Sequence, residues 1–286
     1  MDALSSFTIQ TGKKLPEVTL TDMEVAMDNG ERIADFCGEI GINIDFIDMN
    51  DDRQWIQRFV NIPNPPLLLF SSGDTSVMDM PTIAIIGTRN PTHIGKSMAE
   101  STARKSVESG FCVVSGLAMG CDVHAHRSTL ENDGNTVAVL AHGLDEIHPT
   151  QHKEIAKQII AQGGCLLSEY APGSPIERGN FVDRDRLQSA ASLGLLVIET
   201  SLTGGSMHTV SFAEKQKRPI ACLDHPIKYH DMESVKGNRH LISQDAIAIW
   251  DNRSVIHYAI ADFFPGRGLG YERIMDRIAI EGDRPQ

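Results

Sequence analysis

Long apolar runs, paired cysteines and a surplus of basic charge are all missing from this 286-residue chain. No apolar stretch approaches the roughly 18 residues of a membrane span. The opening MDALSSFTIQTGKKL lacks the basic segment and apolar core of a secretion signal, so the expected setting is cytoplasmic, with no membrane contact. Five cysteines (Cys37, Cys112, Cys121, Cys165 and Cys222) are an odd number without CxxC spacing and read as reduced core residues. The histidines form no HExxH pattern, and no metal or cofactor is expected. With 26 basic against 38 acidic residues the net charge is −12, the wrong sign for a protein that coats polyanions through its overall field. Any nucleic-acid contact must be local.

What is present is the pattern of an α/β protein. Residues 1–60 are mixed and acidic, with a helix-like stretch around Asp22–Ile40 and a strand-like run at Ile42–Ile47, and read as a small N-terminal appendage. Residues 61–250 read as the main domain, entered through the Pro-rich bend Asn61-Ile-Pro-Asn-Pro-Pro66 and an apolar strand ending at Phe70. Residues 251–286 read as a C-terminal tail, with a weak element at Ser254–Phe264. From Thr82 onward short apolar runs recur at Ile83–Ile86, Phe111–Val114, Thr136–Leu140, Cys165–Leu167, Leu195–Ile198 and Pro219–Leu223. Continuous apolarity suits strands covered on both faces, and the intervals between runs suit crossover helices. The expectation is a Rossmann-like, doubly wound, mostly parallel sheet.

In such a sheet ligands sit beyond the carboxyl ends of the strands, where this sequence is rich in glycine and hydroxyl residues. Gly87-Thr88-Arg89, Ser115-Gly116 through Gly120, His142-Gly143, Ser168-Glu169-Tyr170, and Glu199-Thr200 followed by Thr203-Gly204-Gly205-Ser206 stand at five successive strand ends. Glycine admits close backbone approach, and helix N-terminal amides with neighbouring hydroxyls can hold an anion. The turns therefore point to phosphate groups. GxGxxG and GxxxxGK[ST] are both absent, which removes the dehydrogenase and P-loop readings.

These segments, in this order, resemble the DNA-processing protein A family, DprA or Smf. The resemblance begins near Asn61-Ile-Pro-Asn-Pro-Pro66 and is strongest at Ser115-Gly-Leu-Ala-Met-Gly-Cys-Asp-Val-His-Ala-His126. It continues through Ser168-Glu-Tyr-Ala-Pro-Gly173, Asn180-Phe181 and Glu199–Thr209 to Gly237-Asn-Arg-His-Leu-Ile242. It implies a non-enzymatic homodimer that binds single-stranded DNA and loads a RecA-type recombinase onto it. Carried over by motif, Gly87, Thr88 and Arg89 would contact phosphate. Ser115, Gly116, Gly204, Gly205, Ser206 and Thr209 would supply hydroxyl and amide donors, and Lys96, Lys153, Arg184 and Arg186 further positive contacts. Asp122, His126 and Glu199 would support the pocket.

The chain also departs from the family's pattern. Met119 stands where the family has arginine, Thr203 where a basic residue is common, Val182 for proline and Asp185 for asparagine. Residues 1–60 are short for the family's helical N-terminal region and residues 251–286 for its winged helix, which implies a minimal or divergent member. The alternative is a nucleotide-binding sensor or a LOG-type phosphoribohydrolase of the same superfamily. Thr203-Gly-Gly-Ser-Met-His-Thr209 faintly resembles the LOG glycine motif, but the glutamate that cleavage needs does not follow at the matching spacing.

Overall fold

A computed structural model describes residues 20–249. Its centre is a nine-stranded sheet in the order β1-β2-β6-β5-β4-β3-β7-β8-β9. The strands are β1 (Asn43–Phe46), β2 (Leu68–Gly73), β3 (Thr82–Ile86), β4 (Cys112–Ser115), β5 (Thr136–Val139), β6 (Cys165–Ser168), β7 (Leu195–Val197), β8 (Ile220–Leu223) and β9 (Ile247–Ile249). From β6 to β9 every pairing is parallel, while β1 and β2 join the β6 flank antiparallel. The doubly wound, mostly parallel sheet expected from the sequence is the architecture of the protein.

Its helices are α1 (Leu20–Glu39), α2 (Gln54–Val60), α3 (His93–Glu108), α4 (Cys121–Glu131), α5 (Lys153–Ala161), α6 (Arg178–Ala190), α7 (Ser206–Lys215) and α8 (Glu233–Ser243). Strand pleating explains why the runs are apolar throughout. Ile83 and Ile85 of β3 pack with Ala99 and Ala103 of α3 and Ala125 of α4, whereas Ala84 and Ile86 pack with Leu187 of α6 and Val210 of α7 on the opposite face. In α5, Ile155, Ala156 and Ile159 recur at helical spacing and close the first face over Ala138 and Leu166. Successive crossovers thus place α3, α4 and α5 on one side and α6, α7 and α8 on the other.

From residue 43 the stretch expected to form an appendage is built into this sheet and core. β1 pairs with β2, and Trp55, Ile56 and Phe59 of α2 lie in the same cluster as β3, β4 and β5 residues. The weak element at Ser254–Phe264 lies outside the described residues. Among the described residues no helix is long and apolar enough to cross a membrane.

Strand order reverses between β3 and β7. This is the switch point at which doubly wound sheets open a ligand crevice, framed here by Gly87 after β3 and Glu199 after β7.

Candidate nucleic-acid interface

The crevice is already filled, by the chain itself. Glu199 is fully buried; its Oε2 accepts from the Thr92 amide at 2.8 Å and its Oε1 from Thr92 Oγ1 at 2.5 Å and His225 Nε2 at 3.0 Å. Burial pushes this carboxyl up, but the hydrogen bonds from His225 and Thr92 outweigh it and leave the pKa lowered. The anion at the N-terminus of α3 is therefore a side chain of the protein.

The next turn is occupied in the same way. Asp122 Oδ2 accepts from the amides of Gly116 (3.2 Å) and Ala118 (3.3 Å), while Ser115 Oγ donates to the Ile85 carbonyl at 2.7 Å. Both Ser115 Oγ and the Gly116 amide, expected from the sequence to meet DNA phosphate, are thus bonded within the chain. Gly116 is glycine for a different reason. A Cβ there would lie 2.0 Å from Nη1 of Arg184, which crosses beneath it.

Arg184 and Arg186 are likewise internal. Nη1 of Arg184 donates to the carbonyls of Gly116 (3.0 Å) and Val139 (2.6 Å), and its Nε lies 3.3 Å from Asp185 Oδ1. Arg186 forms a two-pronged bond with Glu169, at 3.1 and 2.5 Å, and donates to the carbonyls of Asn64 and Asp183. Both guanidinium groups are buried and bond within the fold, at positions where the sequence reading expects phosphate contacts. His126 turns away from the strand-end turn, its Nδ1 2.8 Å from Thr136 Oγ1, and burial pushes its pKa down to about 3. Thr209 is buried beside Asp185, whereas Gly204, Gly205 and Ser206 open α7 on the far side of the switch point.

Asp122, Arg184 and Asp185 together place two carboxyls around one guanidinium. The Asp185 carboxyl is pushed up to about 6, mainly by burial and further by Asp122, against the pull of Arg184 and the Thr209 hydroxyl. Folding thus raises this pKa above its ordinary value of about 3.9, and ionisation opposes folding. The penalty is absent below about pH 4, complete above about pH 6, and on the order of 3 kcal/mol. Asp185→Asn is expected to melt at a higher temperature than the unsubstituted protein at about pH 8, the gap closing as pH falls through 6 towards 4. Melting curves across that range check it; a gap independent of pH would assign the gain to something other than the charge.

An open depression lies next to the filled crevice, a groove of about 470 Å³ between the first turns of α3 and α4. Arg89, Lys96 and Arg127 line it with His124, Met119 and Gln151, and among the described residues no carboxylate is in its lining. Glu100 reaches only the rim, where its Oε1 lies 2.7 Å from His124 Nδ1. Arg89, Lys96 and Arg127 are exposed, and the Arg89 guanidinium sits 5.4 Å from the centre of the Phe181 ring. A cation held over an aromatic face is a platform on which a base can stack while the guanidinium takes the neighbouring phosphate. Lys153 is exposed at the start of α5, beyond the groove lining but next to Gln151 and His152. Of the expected contacts, then, the fold brings Arg89 and Lys96 together and leaves Arg184 and Arg186 inside. Arg127, His124 and Phe181 were not singled out as contacts. The available signal was helical spacing, since His124 and Arg127, three apart, fall on one face of α4.

A sequence model for DNA recombination-mediator protein A matches residues 46–259. Protein Smf of Synechocystis is 36% identical over 210 residues, which make up 72% of this chain and 52% of that protein. The DNA processing protein DprA of Bacillus subtilis is 32% identical over 218 residues, 76% of this chain and 71% of its own length. The chain therefore spans about half the length of the Synechocystis relative. Among solved structures, DNA processing protein A of Helicobacter pylori, described for its single-stranded-DNA binding mode, superposes with a TM-score of 0.67 at 30% identity. That match covers 78% of this chain and 97% of the other.

Proposed function

Because the chain belongs to the DNA recombination-mediator protein A family, we propose that its groove binds the backbone of single-stranded DNA and that the protein, as a homodimer, presents that strand to a RecA-type recombinase. Mediation is a binding role and not a catalytic one. The observation that carries the reading is a groove lined by Arg89, Lys96 and Arg127, without a lining carboxylate, on a chain of net charge −12. On such a chain a cluster of unopposed cations concentrates what attraction for phosphate the surface has. Guanidinium forks and an ammonium hold phosphate oxygens without reading sequence, and the Phe181 ring accepts any base.

The filled switch point separates this reading from a mononucleotide sensor. A free nucleotide in a doubly wound sheet places its phosphate on the turns at the crevice, and here Glu199 and Asp122 take up those donors. The groove beside the crevice has its three cations exposed to solvent and suits a strand. Fluorescence anisotropy with a labelled oligodeoxythymidine, against thymidine monophosphate at equal total phosphate, is the test. Binding of the oligomer, weakening steeply with salt and unaffected by the monophosphate, is expected. Equal affinity for both would overturn the reading.

A further inference from the structure

Resting on that reading, we infer that Glu199 is the positioning residue for Arg89: it does not line the groove, yet it anchors the loop that carries the phosphate-binding guanidinium at both ends. The loop runs from Thr88 to Thr92. At its start the Thr88 amide donates to the main-chain oxygen of Glu199 at 2.7 Å. At its end the Thr92 amide and hydroxyl donate to the two carboxylate oxygens of the same residue, at 2.8 and 2.5 Å. One residue of β7's carboxyl end thus closes a five-residue loop on both sides.

The anchor is itself fixed. His225 Nε2, at the end of β8, donates to Glu199 Oε1 at 3.0 Å, and both side chains are fully buried. Thr92 passes the constraint into α3, because its Oγ1 accepts from the Gly95 amide at 3.1 Å and caps the helix on which Lys96 is the next residue. Gly95 has to be glycine for the carboxylate to reach this place, since a Cβ would lie 2.5 Å from Glu199 Cδ. The Thr88 carbonyl meanwhile accepts from the Cys121 amide at the start of α4, the helix that carries Arg127. The position where this type of fold ordinarily holds a ligand's anion has become the internal fastening of a binding loop, and it holds the three groove cations in register.

The consequence differs from a general packing role. Loss of the carboxylate removes the acceptor of the Thr92 amide but leaves the acceptor of the Thr88 amide, which is main chain. In Glu199→Ala without DNA, amide exchange at Thr92 is expected to rise roughly tenfold or more while Thr88 keeps its protection. Oligodeoxythymidine binding is expected to weaken about fivefold, with the Glu199→Ala/Arg89→Ala double variant no weaker than Arg89→Ala alone. Glu199→Gln, whose amide oxygen still accepts from Thr92, is expected to bind within about twofold of the unsubstituted protein and to show a smaller rise at Thr92.

Unchanged Thr92 exchange in Glu199→Ala, or losses that multiply in the double variant, would overturn the inference. If the alanine variant does not fold, Glu199→Gln decides alone: a rise at Thr92 with Thr88 unmoved supports the anchor, and no rise overturns it. Failure of the unsubstituted protein to bind the oligomer would remove the DNA reading, and the exchange experiment would still decide the anchor.

Discussion

Arg184→Met is expected to cost the fold roughly 3–5 kcal/mol, the range for breaking a buried charge pair by removing one partner. Three losses combine. The carbonyls of Gly116 and Val139 lose their donor, and Asp122 and Asp185 are left as neighbouring buried carboxyls without the cation between them. The last of these depends on pH. Burial already raises both carboxyls and Arg184 opposes the rise, so in the variant both pKa values climb further and the groups take up protons more readily. The destabilisation is therefore expected to be largest at about pH 8 and to shrink as the carboxyls protonate towards about pH 5. Urea unfolding at the two pH values measures it. A cost below about 1 kcal/mol, typical of a solvent-exposed pair, would mean that this arginine does not carry the strand-end turn.

Arg184 also shows what a sequence conveys about such a protein. The six strands from β3 to β8 were legible because burial on both faces makes nearly every position of each run apolar, which no surface element imitates. β1 was legible as a strand, but its membership of the sheet was not, since Asn43–Phe46 is short, partly exposed and paired only to β2. For the arginines, charge alone does not tell which way the side chain points. An arginine aimed at solvent phosphate and one aimed at buried carbonyls are the same letter, and only the helix face tells them apart. Arg184 precedes Leu187 by three residues and Ala191 by seven, so the spacing that buries those side chains buries the guanidinium as well.

The strand-end carboxylates Asp122 and Glu199 are legible as supports of the pocket, but the amides they occupy are not. Glycine-rich turns advertise anion-binding amides, but the anion that fills them is supplied from outside the turn, by Glu199, 107 residues on, for Thr92 and by Asp122, six residues on, for Gly116. For Thr92 nothing local reports that the amide is taken. What short-range geometry does convey is that the β3–α3 connection brings Arg89 and, in the first turn of α3, Lys96 to the lining of one groove.

Replacing Arg89, Lys96 and Arg127 together by alanine is expected to weaken oligodeoxythymidine binding on the order of 100-fold at low salt. All three are exposed, and among the described residues none is drawn into an ion pair, so their removal leaves no buried partner unsatisfied and the melting temperature should stay within about 2 °C. Counterion release gives a second, independent number. Each phosphate contact on a single strand contributes about 0.7 to the slope of log affinity against log salt, so losing three should flatten that slope by about two. A change of net charge alone could mimic a weaker version of this effect. The control is therefore the triple variant Arg104→Ala/Lys157→Ala/Lys236→Ala, whose positions are exposed and outside the groove lining. Both triples make the net charge of −12 more negative by three. A long-range field would weaken both variants alike, whereas local phosphate contacts weaken only the groove triple and flatten only its salt slope. Equal losses in the two would move the DNA path away from the groove, because only a strand seated there distinguishes those three cations from any other three.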